Sequence, residues 1–110
     1  MTRIVQITPH EGVNLYSLMT QKVRDLSNKN QGAFARAGKK TRDRAKWTHK
    51  TYKGWIKLHR SACEIVVAEV KSLSLAGDQW QLLHAFLGWL DRHFSDQVLT
   101  ITILYRGETE

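Results

Sequence analysis

Apolar and polar residues repeat with two different periods along this 110-residue chain, and the period assigns each segment. Residues 3–8 (Arg-Ile-Val-Gln-Ile-Thr) are β-prone and run into Pro9, which cannot donate to a ladder, so a short strand is predicted. Thr8-Pro9-His10-Glu11 has the form of a capping box with proline at the first helical position, and predicts a helix next. Between 13 and 28, Leu15, Met19, Val23 and Leu26 share one helical face, with Tyr16 beside them and Gln21, Arg24 and Asp25 off it. Gly12 weakens the first turn and moves the expected start towards Asn14, while residues 28–32 (Asn-Lys-Asn-Gln-Gly) end the helix. Residues 31–46 hold one large apolar side chain, Phe34, and two glycines. With so little to bury, they are expected to form a basic mobile loop or arm.

The period then changes to two. Residues 47–70 read as a β-meander in which Lys53-Gly54 makes a two-residue turn between strands 47–52 and 55–60. That turn would set Tyr52 opposite Trp55, Lys50 opposite Lys57 and Thr48 opposite His59, all on one face. Trp47, His49 and Thr51 would join Ile56, Leu58 and Arg60 on the other, more apolar face. Ser61-Ala62-Cys63 turns the chain into Glu64–Val70, whose four consecutive apolar residues suit a central strand covered on both faces. Asp78 offers an N-cap, with Gln81 three residues on, for a helix through Phe94. Leu82, Leu83, Phe86, Leu87, Leu90 and Phe94 form its apolar stripe. Residues 98–106 alternate again as a strand, and 107–110 form a polar tail. The order βα-loop-βββαβ predicts one α+β domain over residues 1–110. It is a two-layer sandwich with a mainly antiparallel sheet and two helices packed on one face.

Composition adds a partner class. Seventeen Lys and Arg against ten Asp and Glu give a net charge of +7. Ten of those cations lie between 36 and 60 with one acid, Asp43, so this segment carries +9 and the remaining residues carry −2. Concentration into one segment reads as a binding footprint for a polyanion rather than a solubility device. The expected nucleic-acid-binding residues are Arg36, Lys39, Lys40, Arg42, Arg44, Lys46, Lys50, Tyr52, Lys53, Trp55, Lys57 and Arg60. The cationic arm would follow phosphates and the Tyr52/Trp55 hairpin face would stack bases. Lysine opposite lysine costs a few tenths of a kcal/mol unless an anion lies between them, which agrees with a phosphate-facing surface. The string Tyr52–Leu58 overlaps the Lys-Gly-aromatic start of the RNP1 pattern of RNA-recognition motifs. It departs from that pattern at Ile56, Lys57 and Leu58.

Other chemistry has less support. A single cysteine, Cys63, cannot form an internal disulfide, and no Cys-x-x-Cys pair suggests structural zinc. Five histidines (His10, His49, His59, His84, His93) show no metal-like spacing, and neither Gly-x-x-x-x-Gly-Lys-Ser/Thr nor Gly-x-Gly-x-x-Gly occurs. No cofactor is expected, and binding is favoured over enzymatic activity. No apolar run is long enough to span a bilayer and the N-terminus lacks a signal-peptide core, so a cytoplasmic protein without membrane contact is expected. The leading reading is a nucleic-acid-binding protein, RNA ahead of DNA. One alternative is a metal-free ribonuclease resembling small RelE-type toxins in size, charge and class, with His49, His59, Lys50 and Arg60 as its first suspects. Another is a homodimeric interaction module that buries Trp80 and Trp89.

Overall fold

The computed structural model describes residues 2–73 and 80–105. β1 (Thr2–Pro9) leads into α1 (Leu15–Asn28), followed by β2 (Phe34–Arg36), β3 (Arg44–His49), β4 (Gly54–Arg60) and β5 (Val66–Ser72). α2 (Gln81–Phe94) and β6 (Val98–Tyr105) complete the chain. The strands form one six-stranded sheet in the order β2-β3-β4-β5-β1-β6, and every neighbouring pair is antiparallel. The fold is an α+β two-layer sandwich.

Alternating directions across that order make β1 parallel to β2 and β5 parallel to β6, so each helix is a crossover between parallel strands. One crossover runs towards the β2 edge and the other, from an oppositely directed strand, towards the β6 edge. The right-handed rule therefore places both helices on the same face. Burial agrees. Val5, Ile7, Val66, Ala68, Val70, Ile56, Leu58 and Trp47 share one strand parity and form one cluster with Leu15, Tyr16 and Met19 of α1 and Leu82, Phe86 and Leu90 of α2. Apolar burial of these side chains, at about 1.5 to 3 kcal/mol each, is the main force holding the layers together. Among the described residues no helix lies over the other face of the sheet. At one end, the Arg3 guanidinium packs on the rings of Trp80 (4.0 Å) and Tyr105 (4.7 Å), which also meet each other edge-on at 5.8 Å.

Several sequence expectations change. Thr8 and Pro9 belong to β1, not to a capping box. Thr8 pairs with Thr100, and a register shift at Thr8/Pro9 accommodates the residue that lacks an N–H. Asn14 caps α1 instead, its side-chain oxygen accepting from the Ser17 N–H at 3.1 Å. Asp78 and the 107–110 tail lie outside the described residues. β5 is flanked on both sides but covered on one face only, with Val67, Glu69 and Lys71 half-buried on the other.

The largest revision concerns 31–46, which is not one loop. Phe34–Arg36 pairs with Trp47–His49 as an edge strand, and β3 starts at Arg44. Phe34, 4% exposed, contacts Trp47, Phe86 and Trp89 with ring centroids 6.0 to 6.3 Å apart. This extra strand also explains Trp89, which the sequence places at the stripe's edge. Phe34 and Trp47 enclose it, leaving it 4% exposed and unavailable as a dimer anchor.

A cationic open sheet face and an adjoining groove

The β3–β4 hairpin differs from the predicted one in register. Trp47 pairs with Ile56, Lys46 with Lys57, Ala45 with Leu58 and Arg44 with His59, and residues 50–53 make a four-residue connection. The slip is four residues, so parity is unchanged. Trp55, Lys57, His59 and Thr48 remain on the helix-free face as predicted, and Lys46 and Arg44 replace Lys50 and Tyr52 there. His49 explains the wider turn. Its Nδ1 accepts from the backbone N–H groups of Thr51 (3.0 Å) and Tyr52 (3.1 Å), and its ring stacks on Tyr52 at 4.7 Å. Burial, reinforced by neighbouring Lys50, holds the His49 pKa below its ordinary value, which favours the neutral ring that can accept. Gly54 then approaches β5 so closely that a Cβ would fall 2.0 Å from the Lys71 carbonyl oxygen, and its φ of +132° suits glycine alone.

On the open face, Trp55 is half-buried, with the Lys46 ammonium 4.9 Å and the Lys57 ammonium 5.7 Å from its ring centroid. The Trp55 indole N–H is buried and donates to no described group. Beside it, a hollow of about 310 Å³ is lined by Lys39, Arg44, Lys46, Lys57 and His59, with Ile4 and one acid, Glu69. None of these cations forms an ion pair within the described residues.

Residues 37–43 are tied down at several points. Ala37 N–H donates to Lys46 O at 2.7 Å and Thr41 N–H to Arg44 O at 2.8 Å, while Arg60 N–H donates to Asp43 O at 2.8 Å. The Tyr16 hydroxyl donates to Thr41 O at 2.9 Å. Burial, and then the Asp43 carboxylate, raise the Tyr16 pKa, so the phenol keeps the proton that it donates. In this pinned turn Lys39 lines the open-face hollow, whereas Lys40 lines a second cavity of about 700 Å³ between α1 and the β2–β3 edge. Arg36 also lines that second cavity.

Of the twelve expected residues, the hollow and its rim therefore gather Lys39, Arg44, Lys46, Trp55 and Lys57, and the groove takes Arg36 and Lys40. Tyr52 is committed to His49. Arg60 makes a bidentate pair with Glu64 (2.6 and 2.7 Å) that holds the tight turn where Cys63 and Glu64 have φ of 60° and 65°. Arg42 stands exposed on the 37–43 turn, and Lys50 and Lys53 lie in the connection at the opposite end of β3. The set suspected in a nuclease reading is thus split, since His49 and Arg60 hold turns and His59 alone reaches the hollow. Sequence reasoning missed Arg24, which lines the groove, and Lys71, which lies across from Trp55. Lys71 was signalled by its alternation with Val67 and Glu69. Arg24 had only its position off the apolar stripe to mark it.

Among the described residues there is no grouping of three or more His, Cys, Asp or Glu able to hold a metal ion, and no helix long and apolar enough to cross a membrane. Comparison with protein-family models, with curated proteins and with solved structures finds no match to this chain. The site's own chemistry therefore carries the functional reading: a small α+β sandwich with an uncovered, cationic, aromatic sheet face.

Proposed function

We propose that this protein binds single-stranded nucleic acid, RNA ahead of DNA, on the open face of β3 and β4. The observation that carries the reading is the convergence of Lys39, Arg44, Lys46 and Lys57 around Trp55 and its neighbouring hollow, with Glu69 as the one acid among the described residues of its lining. An exposed sheet with an aromatic ring offers stacking to unpaired bases, worth about 1 to 3 kcal/mol per base, while lysines take phosphates. A duplex hides its base faces, so single strands suit this surface better. RNA is taken first because proteins that read RNA sequence mostly target splayed, single-stranded bases. Lys46 lies opposite Lys57, whose neighbour on the other side is Glu69, and this like-charge pair supports the same reading because one carboxylate against two lysines leaves room for a bound anion. The nuclease reading has less support, with His49 and Arg60 engaged elsewhere.

The test is fluorescence anisotropy with labelled oligouridine, oligothymidine and a mixed duplex at low salt. Tight binding of the single strands is expected, with the logarithm of affinity falling against the logarithm of salt with a slope of about −3. Equal or stronger binding of duplex, or no binding of any of the three, overturns the proposal.

A further inference from the structure

Lys39 and Lys40 are adjacent in sequence and serve different cavities, one on the open face and one behind the β2 edge. The second cavity, about 700 Å³, is bordered by Arg24 of α1, Arg36 of β2 and Lys40 of the turn, and among the described residues none of its lining is acidic. The nearest acid on that stretch of α1, Asp25, accepts from the Gln21 amide at 2.9 Å and is not part of the lining. Ser17 and Asn28 add short polar side chains to its wall. Its one aromatic, Trp47, is 1% exposed and offers no free ring face. Three cations with hydroxyl and amide neighbours, and no stacking surface, form the contact set that proteins use on phosphate and sugar. The open face has the complementary character, with the half-buried ring of Trp55 among its cations.

Resting on the proposed function, we infer that a bound single strand does not end at the open face. It bends around the β2 edge across the 37–43 turn, and its sugar-phosphate backbone continues into the groove held by Arg24, Arg36 and Lys40. Hydrogen bonds to β3, β4 and α1 fix the backbone of the turn, which sends the two lysines to separate sides, and the Lys40 ammonium lies 5.4 Å from the Tyr16 ring centroid. The ligand class is accordingly a single strand longer than the open face alone accommodates.

Oligouridines of about four and about twelve nucleotides, within the range of site sizes known for single-strand binders, separate the two parts. Arg24 and Arg36 are exposed, so Arg24→Glu with Arg36→Glu is expected to fold normally, checked by circular dichroism. This double variant should lose about tenfold or more in affinity for the twelve-mer, and its salt slope should become shallower by about 1 to 2. Its affinity for the four-mer should stay within about twofold of wild type, whereas Lys57→Glu should weaken both lengths. Wild-type affinity of the double variant for the twelve-mer, or equal losses at both lengths, overturns the groove while leaving the open face standing. Failure of the wild type to bind either length overturns both.

Discussion

The helix-free face has two halves built on the same sheet, and they differ in almost everything except geometry. Across β3 and β4 it carries Arg44, Lys46, Lys57 and Trp55. Across β1 and β6 it carries Ile4, Gln6, Thr8, Thr100, Thr102 and Leu104. Neither half helps to form the core, which lies wholly on the opposite parity. The fold would therefore tolerate threonine on both halves. Charge confined to one of them, with two lysines directly opposed, is what the proposed binding face would need.

The seam between the halves gives the most severe test. Gly54→Ala sets a Cβ against the Lys71 carbonyl where β4 meets β5. It should cost about 3 kcal/mol of stability, read as a lower urea midpoint. If the midpoint is unchanged, the close approach of these strands is wrong. Next is Lys46→Glu with Lys57→Glu, expected to weaken oligouridine binding about 100-fold without loss of folding. The mirror change Gln6→Glu with Thr102→Glu should alter it less than about threefold. Similar losses from both pairs would dissolve the distinction between the halves. Trp55→Ala should reduce affinity about tenfold at all salt concentrations, since stacking is not screened, whereas Leu104→Ala should leave it unchanged.

The smallest expected effect is on pH. His49 and His93 are held below the ordinary histidine pKa, both by burial first, then by Lys50 for His49 and by Lys22 and Arg92 for His93. The unfolded chain therefore takes up protons before the folded one does. Stability should be complete above about pH 6.5 and decline as pH falls below that value, until the folded histidines protonate as well. Urea midpoints at pH 7.5 and 5.0 measure the decline. His49→Asn, which retains an acceptor for the turn, should make it smaller.

Both kinds of half were partly legible in the sequence. β-prone residues ending at Pro9 pointed to β1, the Lys53-Gly54 turn to β4, a β-branched apolar run to β5 and alternation to β6, while periodicity of 3.6 found both helices, each of which buries a full stripe. β2 escaped because it is three residues long and buries one, Phe34, so no period could reveal it. With β2 unseen, the groove and the place of Trp89 could not be read either. The hairpin face was legible and its register was not. Parity survives a four-residue slip, whereas the turn length was decided by an imidazole accepting two backbone N–H groups. The cationic segment was visible as a run of charge, but its division by a pinned turn into two cavities arises only from tertiary hydrogen bonds.

The uncharged half ends at β6, an eight-residue edge strand, Val-Leu-Thr-Ile-Thr-Ile-Leu-Tyr, with Leu99, Ile101, Leu104 and Tyr105 exposed. It lacks the lysines, prolines and inward charges by which sheet edges usually discourage pairing with another molecule. Two such edges repel one another through the long-range field of a +7 particle, a repulsion that ionic strength weakens as the screening length shrinks from about 10 Å at 0.1 M to about 3 Å at 1 M. Colloidal behaviour is therefore coupled to the opposite side of the molecule. The cations of β3 and β4 contribute to the charge that opposes association at the β6 edge, so salt that weakens polyanion binding weakens that repulsion as well.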